Sequence, residues 1–334
     1  MVVFKVFIIL VLFYICNAKL DYQSEFDQFV KSNNRIYKDE NERNFRFQTF
    51  VENLEEIAKF SQDSKGTAKF GLNKFSDWTK EEKTRLTPYS PKAQELSKQS
   101  KALGTCLSST NTSVVLPKNF DWRDSKIVTP VKDQGQCGSC WAFATIAVVE
   151  AQIVKKTGQY QNLSEQELVD CALNLGCNGG APSLALTYIE LNGIANETTY
   201  PYEAKDQKCQ ANIKGDNRGH IDTWACIDLD EDSAAYWLTK IGPIVYDIWV
   251  PDALYSYKSG VLWPSELDCL VGITKFAAHA VTIVGFGEEN GVPYWLIKNS
   301  WGSDWGDNGY FKIHRGDKAC AIGLPHTAAV IWPL

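Results

Sequence analysis

An α+β protein in two lobes, preceded by a separate helical segment, is the fold class that this sequence predicts, on three observations. Residues 19 to about 100 contain no cysteine and are rich in Lys, Glu, Asn and Phe, unlike the remainder of the chain. The stretches WAFATIAVVEAQIVKK and LSEQELVDC then read as helices, the first with apolar positions that suit burial. After about residue 215 come short runs such as GPIVYDIWV, AVTIVGFG and YWLIKNSW, rich in β-branched and aromatic residues and separated by Gly or Pro. Helices first and strands later argue for segregated layers. A chain of 334 residues that is 44% hydrophobic can fill such a core. Its net charge of -6, without any block of Lys or Arg, argues against a nucleic-acid partner.

Taken in order, MVVFKVFIILVLFYICNA carries one lysine, an apolar run from Val6 to Cys16 and then the small residue Ala18, the pattern of a secretory signal peptide over residues 1–18. The run falls well short of the roughly 20 apolar residues that cross a bilayer. In an oxidising route most cysteines should pair. Nine remain after Cys16 is removed, so at least one thiol stays unpaired within a monomer. Sequons at Asn111, Asn162 and Asn196 are glycosylation candidates on the same route.

In the segment ENERNFRFQTFVENLEEI, Glu42, Arg46, Phe50, Asn53 and Ile57 recur at intervals of 4, 4, 3 and 4, which lines them along one face of a helix. The stretch TPYSPKAQELSKQSKALG, with two prolines and little apolar content, reads as a linker. A new unit begins near residue 114. Its first long helix starts near Cys140, and Ser164 with Glu167 three residues on forms a capping-box pattern for the next.

The stretch DQGQCGSCWAFA, residues 133 to 144, places Cys137 and Cys140 before a helix. Zinc would need a second close pair of ligands, and no second CxxC exists, so no metal is expected. A redox role would want the βαβ pattern of a thioredoxin-like domain, which is absent. The remaining reading puts Cys137 in a structural disulfide and leaves Cys140 free. At a helix N-terminus the dipole favours the thiolate, which makes Cys140 a candidate nucleophile. A base must hold its proton, and the available histidines are His220, His279, His314 and His326. His279, in FAAHAVTIVGFG at the start of a buried strand, is the one best placed to be held rigidly.

With these residues in view, the chain resembles the papain family of cysteine proteases. QGQCGSCWAF, GCNGG, HAVTIVGFG and IKNSWGSDWGDNGYF occur in that family's order, and the resemblance covers about residues 114 to 334. Upstream, the face Glu42, Arg46, Phe50, Asn53, Ile57 is similar to the interspersed prodomain motif of cathepsin L-like enzymes, with Ser61 where an Asn is usual. Gly71, Asn73, Phe75 and Asp77 match the motif next along the chain. The resemblance implies a papain-like two-lobe fold, helical lobe and β-barrel-like lobe, preceded by a helical prodomain. Residues 19–113 would be inhibitory propeptide and linker, and 114–334 the protease domain.

The implied roles are those of a zymogen of a cysteine endopeptidase without cofactor. Cys140 would attack the peptide carbonyl, His279 would hold and return the proton, and Asn299 would orient the ring under the shield of Trp301. Gln134 would donate to the oxyanion, a contact typically worth about 3 to 4 kcal/mol. The resemblance also implies substrate contacts at Gly180, Ala181, Pro182, Asp247, Ala277, Trp301 and Pro325, and disulfides Cys137–Cys177, Cys171–Cys209 and Cys269–Cys320. Cys106 and Cys226 are left over, with a Cys106–Cys226 pair as the reading of them. Ala278 departs from the family's usual Asn or Asp before the histidine.

Protein and peptide substrates and the chain's own propeptide are the implied partners of a monomer, in the lysosome or outside the cell. Acid is expected to release the propeptide by neutralising Asp77. The alternatives are an exopeptidase, against which stands the lack of a His-rich insertion of the cathepsin B kind, and an idle peptide-binding homologue.

Overall fold

Phenylalanines spaced for one helical face build the first core. A helix over 22–32 (α1) and a second, α2 (Glu40–Asp63), meet through Phe26, Phe29, Phe47 and Phe50, all buried. The next face of α2 carries the polar motif. Arg46 donates to both carboxylate oxygens of Glu82 at 2.6 and 2.8 Å. Asn53 Nδ2 donates to Ser76 O at 2.9 Å and Trp78 O at 3.0 Å, and its Oδ1 accepts from Lys83 Nζ at 2.6 Å. Among the described residues Ser61 bonds only back to Ile57 O of its own helix. Strand β1 (Lys69–Phe70) and helix α3 (Lys80–Arg85) come next, the helix opened by a reciprocal Thr79–Glu82 capping box.

The computed structural model describes residues 22–63, 65–92, 95–96, 106–107, 115–173, 175–211, 217–227, 230–320 and 327–331. The expected signal peptide, the sequon at Asn111 and Pro325 lie outside them. Two short strands, β2 (Cys106–Leu107) and β3 (Phe120–Asp121), precede the helical lobe, which is built on α4 (Cys140–Thr157), α5 (Glu165–Cys171) and α6 (Pro182–Asn192). Helix α4 is buried along most of its length and stops at Gly158, whose φ of 71° is open to glycine at low cost. Ser164 Oγ caps α5 by accepting from Glu167 N at 3.0 Å. The reciprocal half of the expected capping box is absent. The Glu167 carboxylate turns instead to Tyr188 Oη, Ala195 N and Arg218, because a buried charge is satisfied best by several donors.

The second lobe comprises β4 (Thr223–Ile227), α7 (Glu231–Lys240), β5 (Ile244–Trp249), β6 (Tyr257–Ser259), β7 (Val261–Leu262), α8 (Glu266–Thr274), β8 (Ala278–Glu289), β9 (Val292–Lys298), β10 (Tyr310–His314) and β11 (Thr327–Ile331). A nine-stranded sheet runs β2-β4-β11-β5-β8-β9-β10-β7, with β3 paired to β8. Strand β5 alternates as its residue types require: Ile244, Tyr246 and Ile248 enter the core of this lobe, while Val245 faces the helical lobe. Asp247 and Trp249 share the Val245 face. Disulfides Cys137–Cys177 and Cys171–Cys209 staple the helical lobe, Cys269–Cys320 staples the other, and Cys140 is the free thiol among the described cysteines.

The N-terminal helices are bound into this body. β1 pairs antiparallel with β6, Asn73 Nδ2 donates to Tyr255 O at 2.7 Å, and Phe75 and Leu86 are buried in the core of the β-rich lobe. Asn53 ties α2 to residues 76–83, next to the residues that make this docking. Replacing it by alanine strips two carbonyls and the Lys83 ammonium of their partners. We expect Asn53→Ala to destabilise the precursor by about 3 kcal/mol, measured by denaturant unfolding of an inactive Cys140→Ser background.

Candidate active site

Cys140 is the first residue of α4, where backbone N–H groups lack helical partners and the dipole is positive. Its Sγ accepts from Ala280 N at 3.5 Å, which ties the helical lobe to the strand residue just after His279. His279 is the second residue of β8 and pairs with Ile248. Its Nε2 lies 2.7 Å from Asn299 Oδ1, and that same oxygen accepts from Ser300 N at 2.8 Å. A carboxamide oxygen only accepts, so His279 Nε2 carries the hydrogen and Nδ1 holds the lone pair. Nδ1 is buried and has no hydrogen-bond partner among the described residues. The Trp301 ring stacks on the imidazole at 4.9 Å and 22°.

Burial sets the charge state. It pushes the Cys140 thiol up to about 12, with the Asp247 carboxylate adding to the rise against the Ala280 N–H, and it pushes His279 down to about 4 against the Asn299 bond. Burial thus favours the neutral form of both thiol and imidazole while the cleft is covered.

What covers the cleft is the chain's own residues 86–89. Gln134 Nε2 donates to Leu86 O at 2.8 Å and to Cys137 O at 2.8 Å, while its Oε1 accepts from Ser300 Oγ at 2.7 Å. Pro88 crosses against Gly138 and Gly179 on one wall, where a Cβ would come within 2.2 Å of Pro88 Cγ and 2.9 Å of Pro88 O respectively. On the other wall Pro88 bridges Ala277, and Tyr89 N donates to Phe276 O at 2.8 Å. The Tyr89 ring lies 4.9 Å from Trp249. This corrects the reading of 87–104 as a linker throughout. Its first three residues are clamped by backbone bonds that depend on tertiary approach and leave no mark on local composition.

Ala181, Pro182 and Ala277 are buried, Ala277 against Pro88, and Asp247 is the one partly exposed residue of β5, near enough to Cys140 for its charge to act on the thiol. At Gly180 a Cβ would sit 2.5 Å from the Trp141 indole, so only glycine fits there. Trp301 is 1% exposed and packs on Phe75 as well as on His279. Ala278 fills space beside Trp249 and the Cys269–Cys320 bond. Sequence reasoning missed Ser300, Gly179, Trp249 and Tyr89. Ser300 adjoins Asn299 in the motif, which was its only local signal. Among the described residues no cluster of His, Cys, Asp or Glu could hold a metal ion.

Comparison with known proteins accords with this geometry. A family model described as papain family cysteine protease matches residues 116–330, and one described as cathepsin propeptide inhibitor domain matches 26–82. The chain is 40% identical over 308 residues to a thiol protease aleurain of Arabidopsis thaliana, covering 89% of this chain and 81% of that one. It superposes on the digestive procathepsin L2 proteinase of Tenebrio molitor with a TM-score of 0.82 at 34% identity, covering 93% of this chain and all of that one. The bromelain protease of Ananas comosus, solved in complex with the E64 inhibitor, aligns over 64% of this chain and 99% of its own, at 36% identity and a TM-score of 0.57. A helix bearing a free cysteine and a strand bearing a buried histidine, closed over by an N-terminal helical segment, thus accord with the family matches that place this chain in the papain family of cysteine proteases, as a precursor carrying its own inhibitor domain.

Proposed function

We propose that Cys140, His279, Asn299 and Gln134 are the catalytic machinery of an endopeptidase and that residues 86–89 hold it shut until they are cut away. The observation that carries the proposal is the Gln134 side-chain amide on Leu86 O, a donor occupied by a peptide carbonyl of the N-terminal segment. With the cleft open, the Cys140 proton passes to His279 Nδ1 and Sγ attacks the carbonyl carbon. Gln134 Nε2 then donates to the oxyanion. The imidazolium returns its proton to the departing amine, leaving an acyl-enzyme. Water, deprotonated by the same Nδ1, releases the acid and restores the thiol. Asn299, by holding Nε2–H, keeps Nδ1 as the working nitrogen throughout.

Chain polarity explains how residues 86–89 resist this chemistry. A substrate places the carbonyl before the scissile bond on Gln134 and the preceding side chain toward Ala277 and Asp247. Here the later residue, Tyr89, lies toward that pocket while the earlier Leu86 meets Gln134, so the segment runs backwards through the site. The accompanying processing is part of the proposal. Residues 1–18 would be a signal peptide, 19–113 propeptide and linker, and 114–334 the protease domain, a monomer delivered to the lysosome or secreted. Among the described residues no helix is long and apolar enough to cross a membrane. Of the sequons, Asn162 is exposed, whereas Asn196 is half-buried with Nδ2 donating to Asn217 O.

Three outcomes test the reading. An epoxide electrophile of the E64 type should label the processed protein at Cys140 and leave the intact precursor unlabelled. Labelling of the precursor at an equal rate would remove residues 86–89 as the lock.

Acid should speed self-conversion, but through Glu82 and not Asp77. Burial pushes the Asp77 carboxyl up in spite of Arg35 at 2.9 Å and Tyr37 Oη at 3.0 Å, so the closed form takes up that proton more readily than the open one and acid does not weaken it there. This reverses the sequence-based expectation. Glu82 is also pushed up by burial, yet Arg46 and the Thr79 N–H bring it below its ordinary value. Its contribution is present above the ordinary carboxylate range of about 4.3 and is lost as pH falls below it. The dyad holds one proton whether neutral and covered or as an open ion pair, so it adds no slope between those limits. Glu82→Gln should therefore convert at a higher pH than the parent, while Asp77→Asn keeps the parent's pH dependence. The opposite pattern in a conversion time course would refute this assignment.

Asp247 should admit a basic side chain before the scissile residue. Peptides with Arg there should be cut comparably to those with Leu, and Asp247→Ala should lower kcat/KM for Arg peptides about tenfold, by the loss of one charge-assisted contact. An unchanged Arg-to-Leu ratio would show that the carboxylate serves only the fold.

A further inference from the structure

Strand β2 lies upstream of residue 114, yet it belongs to the sheet of the protease domain. Cys106 and Leu107 pair in parallel with Cys226 and Ile227 of β4. Cys226 is 2% exposed and disulfide-bonded. Six of the ten cysteines are accounted for by Cys137–Cys177, Cys171–Cys209 and Cys269–Cys320, and Cys140 is free. Besides Cys226 itself, that leaves Cys16, in the proposed signal peptide, and Cys106, which stands opposite Cys226 in the strand register. Neighbouring strands are about 4.8 Å apart, inside the Cα separation that a disulfide spans.

We infer that Cys106 is bonded to Cys226 and that, once the chain is cut near residue 114 and again between residues 89 and 106, the propeptide piece around Cys106 stays covalently attached. The inference rests on the maturation proposed above. The retained piece acts as an edge strand. In the sheet order, β4 and β11 stand between β2 and β5, so the tether sits roughly 14 Å, three strand spacings, from the strand that carries Asp247 and Trp249. It covers the backbone N–H and C=O groups that β4 would otherwise present as an open edge, and at this register it does not obstruct the cleft. Cleavage thus removes residues 86–89 from the active site while the disulfide keeps one propeptide strand on the enzyme.

The experiment is mass analysis of the matured, unreduced protein after Cys140 has been labelled, which separately establishes that maturation has produced an open site. The expected result is a mass that falls on reduction by that of one peptide containing Cys106. Cys106→Ser should mature to an enzyme without that peptide, with kcat/KM on an internal peptide bond within about twofold of the parent and a Tm lower by a few degrees. Cys226→Ser should lose the peptide in the same way. Unreduced mature enzyme that already lacks the Cys106 peptide overturns the inference. So does recovery of Cys106 and Cys226 as separate free thiols from the unreduced precursor, a measurement that decides the bond even if the precursor never matures.

Discussion

The stack of Trp301 on His279 is the contact on which the rest of the site depends. Trp301 is closed on every side: His279 on one face at 4.9 Å, Tyr255 stacked on it at 5.3 Å and 8°, and Phe75 and Trp305 edge-on at 5.3 and 4.9 Å. An imidazole in such surroundings favours its neutral form, and its bond to Asn299 is sheltered from exchange with water. Phe75 comes from the inhibitor domain while the others belong to the protease. Of the four neighbours, Phe75 is therefore the one contributed by the inhibitor domain, against an edge of the tryptophan and not against the face that meets the histidine.

Two kinds of contact hold the inhibitor domain, and they do different work. Burial of Phe75 and Leu86 contributes about 2 kcal/mol each and would tolerate a slide of the segment along the cleft. The polar set does not tolerate it. Tyr255 Oη lies 3.0 Å from Thr87 Oγ1 and donates to Lys83 O at 3.2 Å, and Tyr255 O accepts from Asn73 Nδ2. Lys83 is buried and pushed by that burial down to about 8, with Asn53 Oδ1 as its acceptor. A shift of one residue would leave several of these groups buried and unpaired at about 1 to 3 kcal/mol each, more than the apolar term could recover. Apolar area supplies affinity, and the hydrogen bonds supply the register that puts Leu86 O on Gln134.

The parts of this site that could be read from sequence are those whose chemistry is local. Cys140 at a helix start and the Asn299–Ser300–Trp301 run carry their meaning within a few residues, and the α2 face is legible because helical period alone aligns Arg46, Phe50 and Asn53. The alternation of β5 placed Asp247 beside Val245 and Trp249 for the same reason. What escaped was decided by approach in space. Residues 87–89 look like a linker because Pro88 and Tyr89 are ordinary loop residues, and only Gly138 and Gly179 across the cleft make them a plug. Glu167 has the spacing of a capping residue, but Arg218, fifty-one positions away, claims its carboxylate. The two-residue strands β1, β2 and β3 carry no period at all.

Ala278 and Asp247 together suggest how charge has been redistributed in this cleft. The position before the histidine, where the family usually has a polar or acidic residue, here holds a small apolar side chain packed beside Trp249. The carboxylate whose charge reaches the thiol is one strand over, on β5, where Asp247 raises Cys140 and does not figure among the groups that shift His279. A carboxylate so placed opposes the thiolate in an empty cleft. Its opposition falls when a cation binds next to it, because the two fields cancel at the sulfur. A basic side chain in this pocket would therefore aid the nucleophile as well as add a contact. Part of its advantage would appear in the chemical step and not in binding alone.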